Sequence, residues 1–161
     1  MILGMDLQTF TFFHVALSLL GIASGLVLLF FGFLQNRVLR ISILIFLVTT
    51  ILTSLTGFAF PNSHVTLGII LGILSMITLA IASTAMYIGK LAGGWRTTFV
   101  ISSQVSLYFN MFVLVAQSFE HVPALHSLAP TGSGPVFGVA QLILLVAFIW
   151  LTVRAVKRFR L

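Results

Sequence analysis

The sequence predicts an all-α fold: a polytopic transmembrane helix bundle of five spans, with the N-terminus outside and the C-terminus in the cytoplasm. Three observations carry that expectation. Of 161 residues, 60% are hydrophobic and only 6% are charged, whereas a soluble domain carries roughly 25% charged residues. A surface so short of charge would expose large apolar patches to water, so lipid must be the solvent and a soluble enzyme is excluded. Five apolar stretches each approach or exceed the roughly 20 residues that cross about 30 Å of hydrocarbon as a helix. Finally, with five crossings every Lys and Arg falls on one face, which makes that face cytoplasmic.

The spans run over about residues 10–34, 39–60, 65–88, 98–119 and 136–153 of a single transmembrane domain, 1–161. No Lys or Arg precedes the first span, and its apolar run is too long for a signal-peptide core, so a cleaved leader is not expected. Arg37 and Arg40 follow it. The second span ends at Pro61, after which Asn62 and Ser63 suit the N-cap of the third. Lys90 and Arg96 lie between the third and fourth spans, and Arg154, Lys157, Arg158 and Arg160 follow the fifth. Trp95 and Trp150 flank the same basic face, where interfacial aromatics belong. The two acids, Asp6 and Glu120, fall on the opposite face. Pro130, Gly132, Gly134 and Pro135 mark a loop before the fifth span. Thr131-Gly132-Ser133-Gly134 lacks the lysine of a phosphate loop and reads as a turn.

Small residues organise two of the spans. His14, Ser18, Gly21, Gly25 and Gly32 share one face of the first; His64, Gly68, Gly72, Ser75 and Ala82 follow the same order in the third. Helices in lipid associate through such small-residue faces, so both are expected inside the bundle. His14-Val15-Ala16-Leu17 and His64-Val65-Thr66-Leu67 match at an offset of 50 residues. That offset points to a duplicated two-helix hairpin plus a fifth helix, coincidence in an apolar alphabet being the alternative. The fourth span is the most polar, with Ser103, Ser106, Asn110, Gln117 and His121 along one side and Gln104 and Tyr108 nearby. These groups cannot face hydrocarbon unpaired, so the stripe points inward, to interhelical hydrogen bonds or to a ligand or proton path.

All four histidines, His14, His64, His121 and His126, map to the outer half. Ionisable groups within a membrane are functional candidates by default. One reading has His14 and His64 as axial ligands of a b-type haem. A second has the histidines, with Glu120 or Asp6, bind a divalent metal; His14 and His64 are the candidate ligands, because the spacing from His121 to His126 does not share a helix face. A third has His14, His64, Asn110 and Gln117 hold a quinone or another small polar ligand. In a fourth, His14 and His64 satisfy each other, the backbone or interfacial water. No cysteine is present, which removes thiolate and disulfide chemistry. No nucleophile-elbow, HExxH or dinucleotide motif occurs, so the sequence assigns no enzyme class. Two function classes therefore stand side by side: a haem- or quinone-binding protein, and a non-catalytic membrane subunit or scaffold that forms a homo-oligomer or binds a membrane partner. The bilayer is the expected partner and nucleic acid is not.

Three segments carry a family resemblance: residues His121 to Thr131 with Val-Pro-Ala-Leu at their centre, Thr56-Gly57-Phe58-Ala59-Phe60-Pro61, and Tyr108-Phe109-Asn110. Together the chain resembles a family of small uncharacterised bacterial multi-pass integral membrane proteins over nearly its whole length. The resemblance implies location in the bacterial inner membrane and brings no activity. It also implies lysine in relatives at the positions of His121 and His126, which returns interest to His14, His64, Asn110 and Gln117.

Overall fold

The computed structural model of the chain describes residues 2, 4–37, 40–61, 64–129 and 134–159. Among the described residues, five helices are long and apolar enough to cross a membrane, and the protein is a multi-pass membrane protein built as an all-α bundle. They are α1 (Leu7–Val27, continued by a π-helical turn over Leu28–Phe33), α2 (Arg40–Phe58), α3 (Leu67–Tyr87), α4 (Gly94–His121) and α6 (Pro135–Arg158), with a single turn, α5 (Pro123–His126), between α4 and α6.

The helix ends differ from the sequence reading for local reasons. Helix α1 starts at Leu7 rather than at 10, because the Asp6 carboxylate accepts the Thr9 N–H at 3.3 Å and so caps the helix. Hydrogen bonding by Thr9 holds the Asp6 carboxyl below the ordinary aspartate range. The cap of α3 is Thr66, whose hydroxyl accepts the Ile69 N–H at 3.3 Å; Asn62 and Ser63, expected in that role, lie outside the described residues. Helix α4 ends at His121 because Val122 is extended, as the residue before a proline must be. Helix α6 continues past 153 to Arg158, since its basic residues sit at the interface while the backbone stays helical. Residues 130–133 and Arg160, assigned to a loop and to the basic tail, also lie outside the described residues.

α1 packs closely on α2 and α3 on α4, while α6 lies against α4. The two hairpins do not repeat in the register that the sequence match suggested. His14 lies well inside α1, whereas His64 precedes the first residue of α3, so the matched tetrapeptides hold different positions. Gly25 lets α1 enter the groove between α2 and α4: a Cβ there would stand 2.6 Å from Leu107 Cδ1 and 2.9 Å from the Phe46 ring. α6 is tied by its Gln141 amide, which donates to the Phe112 carbonyl at 3.1 Å, and by Phe148 against Tyr108. Its other face, including Val139, Leu142, Ile143 and Val146, is exposed and faces lipid.

One end of the bundle is closed by aromatic packing. The Phe33 ring meets Phe99 at 5.9 Å and Phe159 at 5.1 Å, edge to face, and all three are fully buried. Arg158 donates to the Leu34 carbonyl at 3.5 Å across the same junction. Arg37 and Lys90 belong to the connectors at this end and Arg96 to the first turn of α4, and the Arg154 guanidinium stacks 4.3 Å over Trp150. Among the described residues, the segregation of basic side chains to one end is therefore a property of the fold.

Candidate functional site

At the opposite end α1, α2, α3 and α4 diverge around a cavity of about 660 Å³, within the range of about 300–1,000 Å³ that small-molecule sites occupy. Its wall mixes apolar side chains such as Ile22, Ile69, Leu71 and Val113 with His14, Ser54, Ser75, Asn110, Gln117 and His121. Among the described residues, no Asp, Glu, Lys or Arg lines it. The site is polar but uncharged, apart from what its two histidines can carry.

His14 is anchored by a threonine of α2. Its Nδ1 lies 2.8 Å from Thr56 Oγ1, and the Thr56 hydroxyl also reaches the Leu52 carbonyl at 2.8 Å. With the Thr56 proton on that carbonyl the hydroxyl accepts, Nδ1–H donates and Nε2 carries the lone pair. Phe60 packs edge-on against the ring at 5.2 Å and Gly57 leaves room for it. His121 is arranged the same way: its Nδ1 donates to the Gln117 carbonyl at 3.1 Å. Both histidines of the cavity thus keep Nε2 as an acceptor, and neither Nε2 makes a hydrogen bond among the described residues.

Deeper in, the wall holds unpartnered groups. Asn110 Nδ2 and Ser75 Oγ, both in the wall, and Thr50 Oγ1, behind it, are buried without a hydrogen bond. Asn110 Nδ2 and Thr50 Oγ1 converge on Gly21, lying 3.6 and 3.2 Å from where its Cβ would stand. Ser103 Oγ and Gln104 Oε1 are likewise unpaired further toward the basic end. Gln141 Oε1 on α6 is unpaired as well, whereas Thr78 and Ser106 share a 2.6 Å hydrogen bond between α3 and α4, and Thr53 donates to the Thr49 carbonyl.

Of the residues proposed from sequence, the structure brings His14, Asn110 and Gln117 into one wall and adds His121. Gln117 also donates to Glu120 at 3.4 Å. His64 does not line the cavity; it lies in the segment before α3. His126 is exposed on α5. Among the described residues no three of His, Cys, Asp or Glu come together to hold a metal. Sequence reading missed the contribution of α2, where Thr49, Thr50, Thr53, Ser54 and Thr56 are buried. Their recurrence at three- and four-residue steps was the available signal. In comparisons with family models, with curated proteins and with solved structures, nothing matches this chain.

Proposed function

We propose that this is a protein of the bacterial inner membrane, its cavity opening to the extracytoplasmic side, that binds a small neutral lipophilic molecule of the quinone–quinol class. The observation that carries the reading is His14, pinned by Thr56 so that an accepting Nε2 stands in the wall of an uncharged, largely apolar cavity. A quinol hydroxyl is a suitable donor for that lone pair, and the surrounding Ile, Leu, Val and Phe side chains suit an apolar ring or tail. The basic end supports the orientation, since Lys and Arg mark the cytoplasmic side.

Two alternatives are less well served. A haem bound through His14 and His64 needs both imidazoles in one cavity, and His64 is outside this one. A scaffold that associates through small-residue faces would need Gly21 and Gly25, which are buried inside the bundle, or Gly68 and Gly72, which line the cavity.

The test is calorimetric titration of the purified protein in lipid nanodiscs with a short-chain ubiquinone analogue, oxidised and reduced, beside a visible spectrum. The wild type is expected to bind and to show no Soret band. His14→Ala is expected to weaken the reduced form about tenfold, the loss of one hydrogen bond to an imidazole. Absence of binding in both forms contradicts the reading, and a Soret band lost on both His14→Ala and His64→Ala would replace it with haem ligation.

A further inference from the structure

The four helices around the cavity are joined firmly at three of their four seams. α1 and α2 meet at the 2.8 Å contact of His14 with Thr56 and at the rings of Phe10 and Phe60, 5.1 Å apart. Between α2 and α3 the Phe58 ring lies on Gly72, 2.7 Å from where a Cβ would stand. Thr78 and Ser106 join α3 to α4. The fourth seam, α1 against α4, is much less closely packed. It closes toward the basic end, where Gly25 meets Leu107 and Gly21 meets Asn110. Outward of Gly21, among the described residues, no hydrogen bond or ring contact joins the two helices. The Ser18 and Ser118 hydroxyls, one on each helix, donate to carbonyls of their own helix instead.

Helix α6 leaves this gap uncovered. It packs on another side of α4, with Phe137 against Phe112 and Phe119. It meets the first span chiefly at the π-helical turn, and among the described residues it adds nothing to the cavity wall.

The sides of the gap are cavity wall and outer surface at once. Val15 and Leu19 line the cavity and are still 45% and 48% exposed. They follow His14 and Ser18 by one residue, about 100° round the helix, on the flank away from α2. Leu114 and Ser118, also in the wall, lie seven and eleven residues beyond Leu107. They therefore continue the α4 face that meets α1 at Gly25. On α1 the wall runs from Thr11 to Ile22, about 16 Å of helical rise and so roughly half of a 30 Å hydrocarbon layer. The gap opens sideways onto lipid chains, where a water-soluble partner has no access.

We propose that this gap is a lateral portal: the ligand enters the cavity from the outer leaflet and keeps its hydrocarbon tail between Val15 and Leu19 of α1 and Leu114 and Ser118 of α4. The head group then sits among the polar side chains of the wall while the tail stays in the bilayer. The chemistry of the head group rests on the quinone–quinol reading above; the portal rests on the helix geometry alone.

The experiment titrates the full chain in nanodiscs with two benzoquinones that share one head group, one without a tail and one with a ten-carbon chain. Ser118→Phe, which fills the gap, is expected to weaken the tailed compound about tenfold, the scale of one overpacked side chain, and to leave the tail-free compound unchanged. Equal losses for both compounds, or none for the tailed one, overturn the portal. A second measurement needs no quinone and no bulky substitution. A bimane label on Ser118→Cys is expected to be quenched by chain-brominated phosphatidylcholine about as strongly as one on Val139→Cys, on the lipid-facing side of α6. A label at 118 that escapes quenching overturns the portal, whatever the titrations give. If the wild type binds neither benzoquinone while the label at 118 is quenched, the quinone reading fails and the portal stands, with a lipid chain as its occupant.

Discussion

Gly25→Leu is expected to abolish the folded bundle. The first carbon of any side chain at this position would lie 2.6 Å from Leu107 Cδ1 and 2.9 Å from the Phe46 ring. Both neighbours are essentially fully buried, at 0% and 1% exposure, so neither can swing away without displacing a third element. A single methyl, in Gly25→Ala, should cost about 1–3 kcal/mol as overpacking. Leucine adds three further carbons where none fits, which forces α1 out of the groove between α2 and α4. Gly138→Leu is the matched control, because nothing lies within 4 Å of a Cβ there; it should change stability by less than about 0.5 kcal/mol. Unfolding in mixed micelles with rising sodium dodecyl sulfate, followed by circular dichroism, measures all three variants. Wild-type stability in Gly25→Leu would mean that α1 does not sit in that groove.

Phe33→Ala is expected to produce the second large loss, at the closed end. The Phe33 side chain is fully buried and bridges α4 and the end of α6 through Phe99 and Phe159. In a water-soluble core such a truncation costs about 3–5 kcal/mol, part of it the transfer of apolar surface from water. In a bilayer the unfolded helices remain in lipid, so that part largely falls away and the lost packing remains. A cost of roughly 2–3 kcal/mol follows, read in the same micelle titration. The loss should spare ligand binding, because the cavity lies at the other end of the bundle. Equal damage to binding and to stability would show that the two ends are not separate.

The membrane class and the number of spans were legible because lipid imposes a simple rule: each crossing needs a long apolar run and the charges must gather outside it. The site was legible in part. His14, Asn110 and Gln117 could be named because polar groups in apolar spans need a reason to be there. Their partners could not. Nothing in the local sequence says that Thr56, rather than Thr53 or Thr49, meets His14, since that depends on the axial register of α1 against α2. His64 shows the same gap from the other side: a cap at Thr66 starts α3 after the histidine and leaves it off the cavity wall. The threonines of α2 were legible and were passed over, because threonine in a membrane helix usually bonds its own backbone, as Thr49, Thr53 and Thr56 do here. Thr56 can do that and still accept from His14, which is what makes it the orienting group. The π-helical turn at Leu28–Phe33, where the Leu34 N–H reaches back to the Leu29 carbonyl, left no sequence signal beyond Gly32.

A polar chamber that opens on the side away from the basic end is the feature on which orientation and binding both turn. The absence of native cysteine allows a direct measurement of that arrangement, by labelling single-cysteine variants in sealed cells with a membrane-impermeant thiol reagent. Ser18→Cys, in the cavity wall, is expected to react from outside and to be protected by the quinone analogue. Gln35→Cys, next to Arg37 at the basic end, is expected to react only after the membrane is opened. Labelling of Gln35→Cys in sealed cells, or a Ser18→Cys that reacts only from the cytoplasmic side, would contradict the orientation and the site together.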